Sequence, residues 1–227
     1  INVKTRTIIG AEALIRWTHP TRGPVPPAEF IPVAEDSGQI VPIGAWVLRE
    51  ACKQARAWTD AGLPSLTMAV NVSAMEFSDE NFLENVFTIL TETGMPPNRL
   101  ELELTESVLM KRADSAVSIL QALRNKGIRV AVDDFGTGYS SLSYLRKFPV
   151  DALKIDQSFT RQISSDGDDS VIVKAVIGMA HSLKLKVIAE GVETLDELQF
   201  LCAHHCDEAQ GYHFSRPLPA QQFATML

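Results

Sequence analysis

Six short runs of aliphatic and β-branched residues each finish on polar side chains able to hold a cation or move a proton. The set comprises Glu12, Asn71, Glu103, the adjacent pair Asp133-Asp134, Lys154 with Asp156, and Glu190. Carboxylates far outnumber the lone lysine. Gathered in one place they would repel one another and drift toward protonation. Hard divalent cations relieve that repulsion, and an all-oxygen donor set favours Mg²⁺ or Mn²⁺ over zinc. The Asp133-Asp134 pair can offer one carboxylate to each of two ions, as two-metal phosphodiester chemistry requires. Lys154 would then steady a metal-bound water or a phosphate oxygen.

Such a cluster forms only if the chain brings the run ends together, and the runs carry a parity that does so. In 99–104, Leu100, Leu102 and Leu104 share one strand face while Glu101 and Glu103 share the other. The same alternation sets Val130 and Val132 against Arg129, Ala131 and Asp133, and Leu153 and Ile155 against Lys154 and Asp156. It recurs in 66–72, where Asn71 opposes Val70 and Val72, and in 185–190, where Glu190 opposes Val187 and Ala189. The first run, 7–16, aligns Glu12, Leu14 and Arg16. Strands of this kind, apolar toward outer helices and polar at one end of the inner face, close into a barrel with its chemistry at the C-terminal mouth.

The intervening segments have helical periodicity. Helices are expected near 27–36, 39–61, 79–94, 106–126, 140–147, 168–183 and 195–204, with another beginning near Pro219 and a weak strand near 206–211. Val47, Ala51, Ala55 and Trp58 form a core-facing stripe. Ser78 is placed to cap the 79–94 helix, Thr194 and Glu197 have capping-box spacing, and Gly127 sits where a left-handed residue ends a helix. Strand then helix, repeated, indicates an α/β protein with a mostly parallel sheet. An open doubly wound sheet is disfavoured because no Gly-rich phosphate loop follows the first strand. No low-complexity linker divides the chain, so residues 1–227 read as a single domain.

Composition narrows the function classes. With 227 residues, 45% hydrophobic and 22% charged, the chain can bury a substantial core. No apolar run is long enough to span a bilayer and no signal segment opens the sequence, so a cytoplasmic domain without membrane contact of its own is expected. A net charge of −7 argues against binding long nucleic acid. Cys52, Cys202 and Cys206 read as free thiols, and the Cys202, His204, His205, Cys206 cluster lacks the second ligand pair of a zinc site.

The ordered motifs resemble the EAL domain over nearly the whole length. They are Glu12-Ala13-Leu14 with Arg16, Asn71-Val72-Ser73, Glu103-Leu104-Thr105-Glu106, and Asp133-Asp134-Phe135-Gly136-Thr137-Gly138-Tyr139-Ser140-Ser141. Lys154-Ile155-Asp156, Ala189-Glu190-Gly191-Val192-Glu193 and Gln210-Gly211-Tyr212 complete the series. Any one triplet is weak; the ordered set is specific.

The resemblance implies a modified TIM (β/α)8-type barrel whose first strand is antiparallel to its neighbours. That strand, with its Gln-Pro-Ile signature, would precede residue 1 and is expected to be missing or truncated here. The implied activity is metal-dependent hydrolysis of cyclic di-GMP to linear pGpG in bacterial signalling. Glu12, Asn71, Glu103 and Asp133 would hold one Mg²⁺ or Mn²⁺ ion, with Asp134 helping to hold a second. Lys154 and Asp156 would flank the attacking water, and Glu190 would lie near the metals or act as base. Glu106 would hold the 135–141 loop in shape; Leu14, Arg16, Asp134 and Glu193 would face the substrate. Blander roles stay open for some of these residues. Asp156 could serve only to orient Lys154, Arg16 could form a structural ion pair, and Phe135 and Tyr139 could be packing anchors. Glu76, where the family often has Gln, would loosen ligand contacts. The alternative reading is an inactive domain that senses cyclic di-GMP or a protein partner. A homodimer through 135–147 and the following helix would order the loop and so the metal site, and such domains commonly end longer signalling proteins.

Overall fold

The computed structural model describes residues 1–111, 113–136, 142–161, 163 and 168–227. Its strands are β1 (Gly10–Ala13), β2 (Trp17–His19), β3 (Gly23–Val25), β4 (Thr67–Asn71), β5 (Leu100–Thr105), β6 (Arg129–Phe135), β7 (Ala152–Ile155), β8 (Lys186–Ala189) and β9 (Glu208–Ala209). The helices are α1 (Pro27–Asp36), α2 (Ile40–Asp60), α3 (Ala74–Phe77), α4 (Phe82–Thr93), α5 (Glu106–Lys111), α6 (Ala113–Lys126), α7 (Leu142–Leu145), α8 (Gln157–Thr160), α9 (Asp168–Ser182), α10 (Leu195–Ala203) and α11 (Ala220–Ala224).

Seven strands form one sheet in the order β1-β4-β5-β6-β7-β8-β9, and every neighbouring pair is parallel. Laid flat, β1 and β9 would stand about 29 Å apart at ordinary strand spacing. Instead Gln210, just past β9, donates from Nε2 to Glu12 Oε2 on β1 at 2.5 Å. The sheet therefore curls until its ends meet across the interior. Residues 1–3 lie beside β9 in the opposite sense: Asn2 makes an antiparallel bridge to Glu208, and Val3 N donates to Asp207 O at 3.0 Å. The first sheet strand, β1, runs parallel to β4.

The strand parity places the core. Leu100, Leu102, Leu104, Val130, Val132, Leu153 and Val187 are buried against the outer helices, where the α2 stripe Ala51, Ala55 and Trp58 also packs. On the inner face a separate small cluster holds only Ala131, Ala152 and Ile188. Two alanines and a single isoleucine leave most of the barrel interior to polar side chains such as Glu101, Glu103 and Lys154.

Local signals mostly act as the sequence predicts. Gly127, at φ +86°, ends α6, and Thr194 and Glu197 form a reciprocal capping box on α10. Ser78 behaves differently. It terminates α3, and α4 starts only at Phe82, because a Ser73–Glu76 capping box nucleates a separate short helix whose Phe77 is buried. The expected 7–16 strand shortens to Gly10–Ala13, and the residues beyond it turn into a β2–β3 hairpin that alternation alone did not reveal.

Candidate active site

β1, β4, β5, β6 and β7 each carry a polar inward side chain at or near the C-terminal end, and Glu190 follows β8 directly. Lys154 on β7 is the centre, only 1% exposed. Its Nζ lies 2.7 Å from Glu103 Oε2 on β5, 2.7 Å from Glu190 Oε1 beyond β8, and 3.2 Å from Asp133 Oδ1 on β6. Asn71 Nδ2 donates to Glu12 Oε1 at 2.6 Å, so β1 and β4 present an amide and a carboxylate as one unit. The mouth thus gathers Glu12 and Asn71 as one hydrogen-bonded pair, and Glu103, Asp133 and Glu190 around Lys154.

Asp134 adds another carboxylate by a backbone device. A register shift between Val132 and Phe135 interrupts β6, and Asp134 adopts φ +52°, a left-handed conformation costly for a side-chain-bearing residue. The kink turns two consecutive carboxylates toward the mouth, where a regular strand would send them to opposite faces. Oxygen atoms of Asp133, Asp134 and Glu190 lie within 4.8 Å of one another. Asp156 caps α8 by accepting from Ser158 N at 2.9 Å, and its charge bears on Asp134.

The electrostatics show how strongly these carboxylates load one another. Burial pushes the Glu190 carboxyl up to about 7, against the pull of Lys154, with Asp133 and Glu12 adding repulsion. Glu103 is driven well above the ordinary carboxylate range, first by burial and despite Lys154. Asp134 is raised by burial and by the neighbouring charges of Asp133 and Asp156. Burial by itself would lower the Lys154 pKa, but Glu103, Glu12, Glu190 and Asp133 together hold the ammonium well above its usual value. One buried cation is shared among too many carboxylates. All-oxygen donors, excess negative charge and mutual reach fit a hard divalent cation.

The other expected residues distribute unevenly. Glu106 is buried in the first turn of α5, directly after β5. Leu14 and Arg16 continue past β1 and are exposed, with Arg16 Nη1 donating to Ile15 O at 2.8 Å. Glu193 is exposed and its carboxylate pairs with Arg161 at 2.7 Å. Phe135 is buried, whereas Thr137 to Ser141, including Tyr139, fall outside the described residues. Among the described residues, Cys202, His204, His205 and Cys206 make no three-ligand group. Cys206 is buried, its thiol pushed up to about 12 by burial. Gln210 is the residue whose part the sequence did not disclose: its motif was legible, but its hydrogen bond to Glu12 depends on sheet closure.

Comparison with known proteins agrees with this arrangement. The EAL domain profile matches residues 1–217. The chain is 45% identical over 215 residues to the bifunctional diguanylate cyclase/cyclic di-GMP phosphodiesterase MucR of Pseudomonas aeruginosa, covering 95% of this chain and 31% of that protein. It is 43% identical over 212 residues to the cyclic di-GMP phosphodiesterase PdeR of Escherichia coli, covering 93% of this chain and 32% of that protein. The chain thus spans about a third of the length of these relatives. Its structure superposes on that of the MucR phosphodiesterase in complex with c-di-GMP with a TM-score of 0.92 at 44% identity, over 96% of this chain and 88% of the other. With the profile running along nearly all of its length and an acidic mouth built from the same ordered motifs, the chain belongs to the EAL domain family.

Proposed function

We propose that this chain binds cyclic di-GMP and hydrolyses one of its 3′–5′ phosphodiester bonds, releasing linear pGpG. The observation that carries the reading is the buried Lys154 ringed by Glu103, Asp133 and Glu190, with Asp134 in reach of the same point. Glu12, Asn71, Glu103 and Asp133 are assigned to one Mg²⁺ or Mn²⁺ ion and Asp134 to a second. Such ions, when bound, acidify a water and neutralise charge on the phosphoryl oxygens.

The chain's own groups do the rest. Lys154 and Asp156 orient the attacking water, and Glu190 accepts its proton. The water oxygen bonds to phosphorus, the bond to the 3′ oxygen breaks, and that oxygen leaves as an alkoxide that takes up the proton held by Glu190 to become the 3′ hydroxyl. Arg16 meets a substrate phosphate, Leu14 offers apolar surface to the ligand, and Glu193, supported by Arg161, borders the same side. Glu106 anchors the segment leading to the 135–141 loop. A homodimer through 135–147 and the helix after it keeps that loop in its working shape. The domain works in the cytoplasm as one part of a longer signalling polypeptide. No helix among the described residues is long and apolar enough to cross a membrane.

Product identity is the test. Hydrolysis in ¹⁸O-labelled water with Mn²⁺ should place one labelled oxygen on the new 5′ phosphate of pGpG, separated by chromatography. Tight binding of cyclic di-GMP with no labelled product would favour the sensor reading.

A further inference from the structure

Asn71 is the last residue of β4, where the strand gives way to a helix. On one side the β-ladder holds it: Asn71 is in register with Glu103, and Val72 N donates to Glu103 O at 2.9 Å. On the other side the chain turns into α3 through Ser73. There the Glu76 carboxylate takes over. Its Oε2 accepts from Ser73 N at 3.0 Å and from Ser73 Oγ at 2.6 Å, while Glu76 N donates to Ser73 Oγ at 3.2 Å.

The same carboxylate is pressed against α2. A methyl group built on Gly44 would fall 1.6 Å from Glu76 Oε1 and 2.2 Å from its Cδ. A side chain at position 44 would therefore displace the carboxylate from its seat on Ser73. Gly44, Asn71 and Glu76 line one crevice with Val41, Leu48 and Phe82, so α2, α3 and the end of β4 meet there.

We propose that Glu76 is a positioning residue for the metal centre: clamped between Gly44 and Ser73, it fixes the strand end that aims Asn71 at the cation. Glu76 thus acts through the backbone, in place of the ligand contact expected from its position in the motif. The capping geometry also explains why glutamate serves here as well as glutamine, since either side chain completes the box at this position. Groups that hydrogen-bond a metal ligand directly are typically worth about 10- to 100-fold in metal affinity. Glu76 acts one step further out, through Ser73, so its loss belongs at the low end of that range. This role rests on Asn71 being a metal ligand.

The test is Mn²⁺ binding, with no nucleotide present, followed by electron paramagnetic resonance or calorimetry alongside thermal unfolding. Glu76→Ala and Gly44→Ala should each weaken Mn²⁺ binding about 10-fold. Glu76→Gln should bind as wild type does. Because both alanine variants remove the same clamp, combining them should cause no further loss. Wild-type affinity in a folded Glu76→Ala protein would overturn the proposal. Should that variant fail to fold, wild-type affinity in Gly44→Ala, which leaves the carboxylate in the chain, would overturn it equally. Asn71→Ala separates the two levels: its retention of wild-type Mn²⁺ affinity would refute the ligand assignment itself, whereas its weakening with Glu76→Ala unaffected would refute only the clamp.

Discussion

Replacing Lys154 with methionine removes the cation buried among the mouth carboxylates while keeping most of the side-chain volume. Glu103, Glu190 and Asp133 then lose a partner at 2.7, 2.7 and 3.2 Å. Breaking one side of a buried ion pair costs about 3–5 kcal/mol. For a domain of this size each kcal/mol moves the midpoint by roughly 2–4 °C. The metal-free variant at pH 8 should therefore melt about 6–20 °C below wild type. The loss should shrink at pH 5.5, because carboxyls already raised by burial take up protons and need no counter-charge. Mn²⁺ should restore part of it, about 2.7 kcal/mol at a hundredfold excess over the dissociation constant. Thermal unfolding by circular dichroism, in EDTA and in Mn²⁺ at both pH values, reads all of these effects. Equal melting of wild type and Lys154→Met in EDTA at pH 8 would refute the picture of a cation-starved cluster.

Other consequences follow from single features. Glu190 has a folded-state pKa of about 7, above the ordinary glutamate value, so the native state binds a proton that the unfolded chain has lost. Stability of the metal-free protein should fall as pH rises from about 4.5 to 7, and saturating Mn²⁺ should abolish that fall, as urea titrations across the range would show. Of the three cysteines only Cys202 is exposed, while burial pushes the Cys52 and Cys206 thiols up to about 12. A thiol reagent should consume one equivalent in the native protein and the rest only on unfolding; faster uptake of a second would contradict the packing. Thr194→Ala removes the α10 capping box and should cost about 1 kcal/mol, read from the denaturation midpoint.

The parity of the strands was legible because a period of two is independent of the rest of the fold. Leu100, Leu102 and Leu104 against Glu101 and Glu103 fix two faces wherever the strand goes. What parity cannot encode is a break in itself. The positive φ that brings Asp133 and Asp134 to one side appears in the sequence only as two adjacent aspartates. Closure is likewise a long-range fact: the Gln210–Glu12 contact joins residues 198 positions apart. Ser78 shows competition between local signals. Ser73 and Glu76 carry the capping-box spacing just upstream and claim the helix start first, so Ser78 ends that helix. Glu193 turns toward Arg161, an ion pair between surface residues whose proximity depends on how the segments after α8 and before α10 meet.

Hydrolysis of cyclic di-GMP by an acidic mouth loaded with divalent cations is tested most directly by timing pGpG release. The wild-type protein is assayed in Mn²⁺ and in EDTA, and Glu12→Ala in Mn²⁺. The expected result is steady turnover in the first case and essentially none in the other two, with Glu12→Ala still folded. Turnover that survives EDTA or the loss of Glu12 would contradict this mechanism, as would folded wild-type protein that binds the dinucleotide in Mn²⁺ without cleaving it.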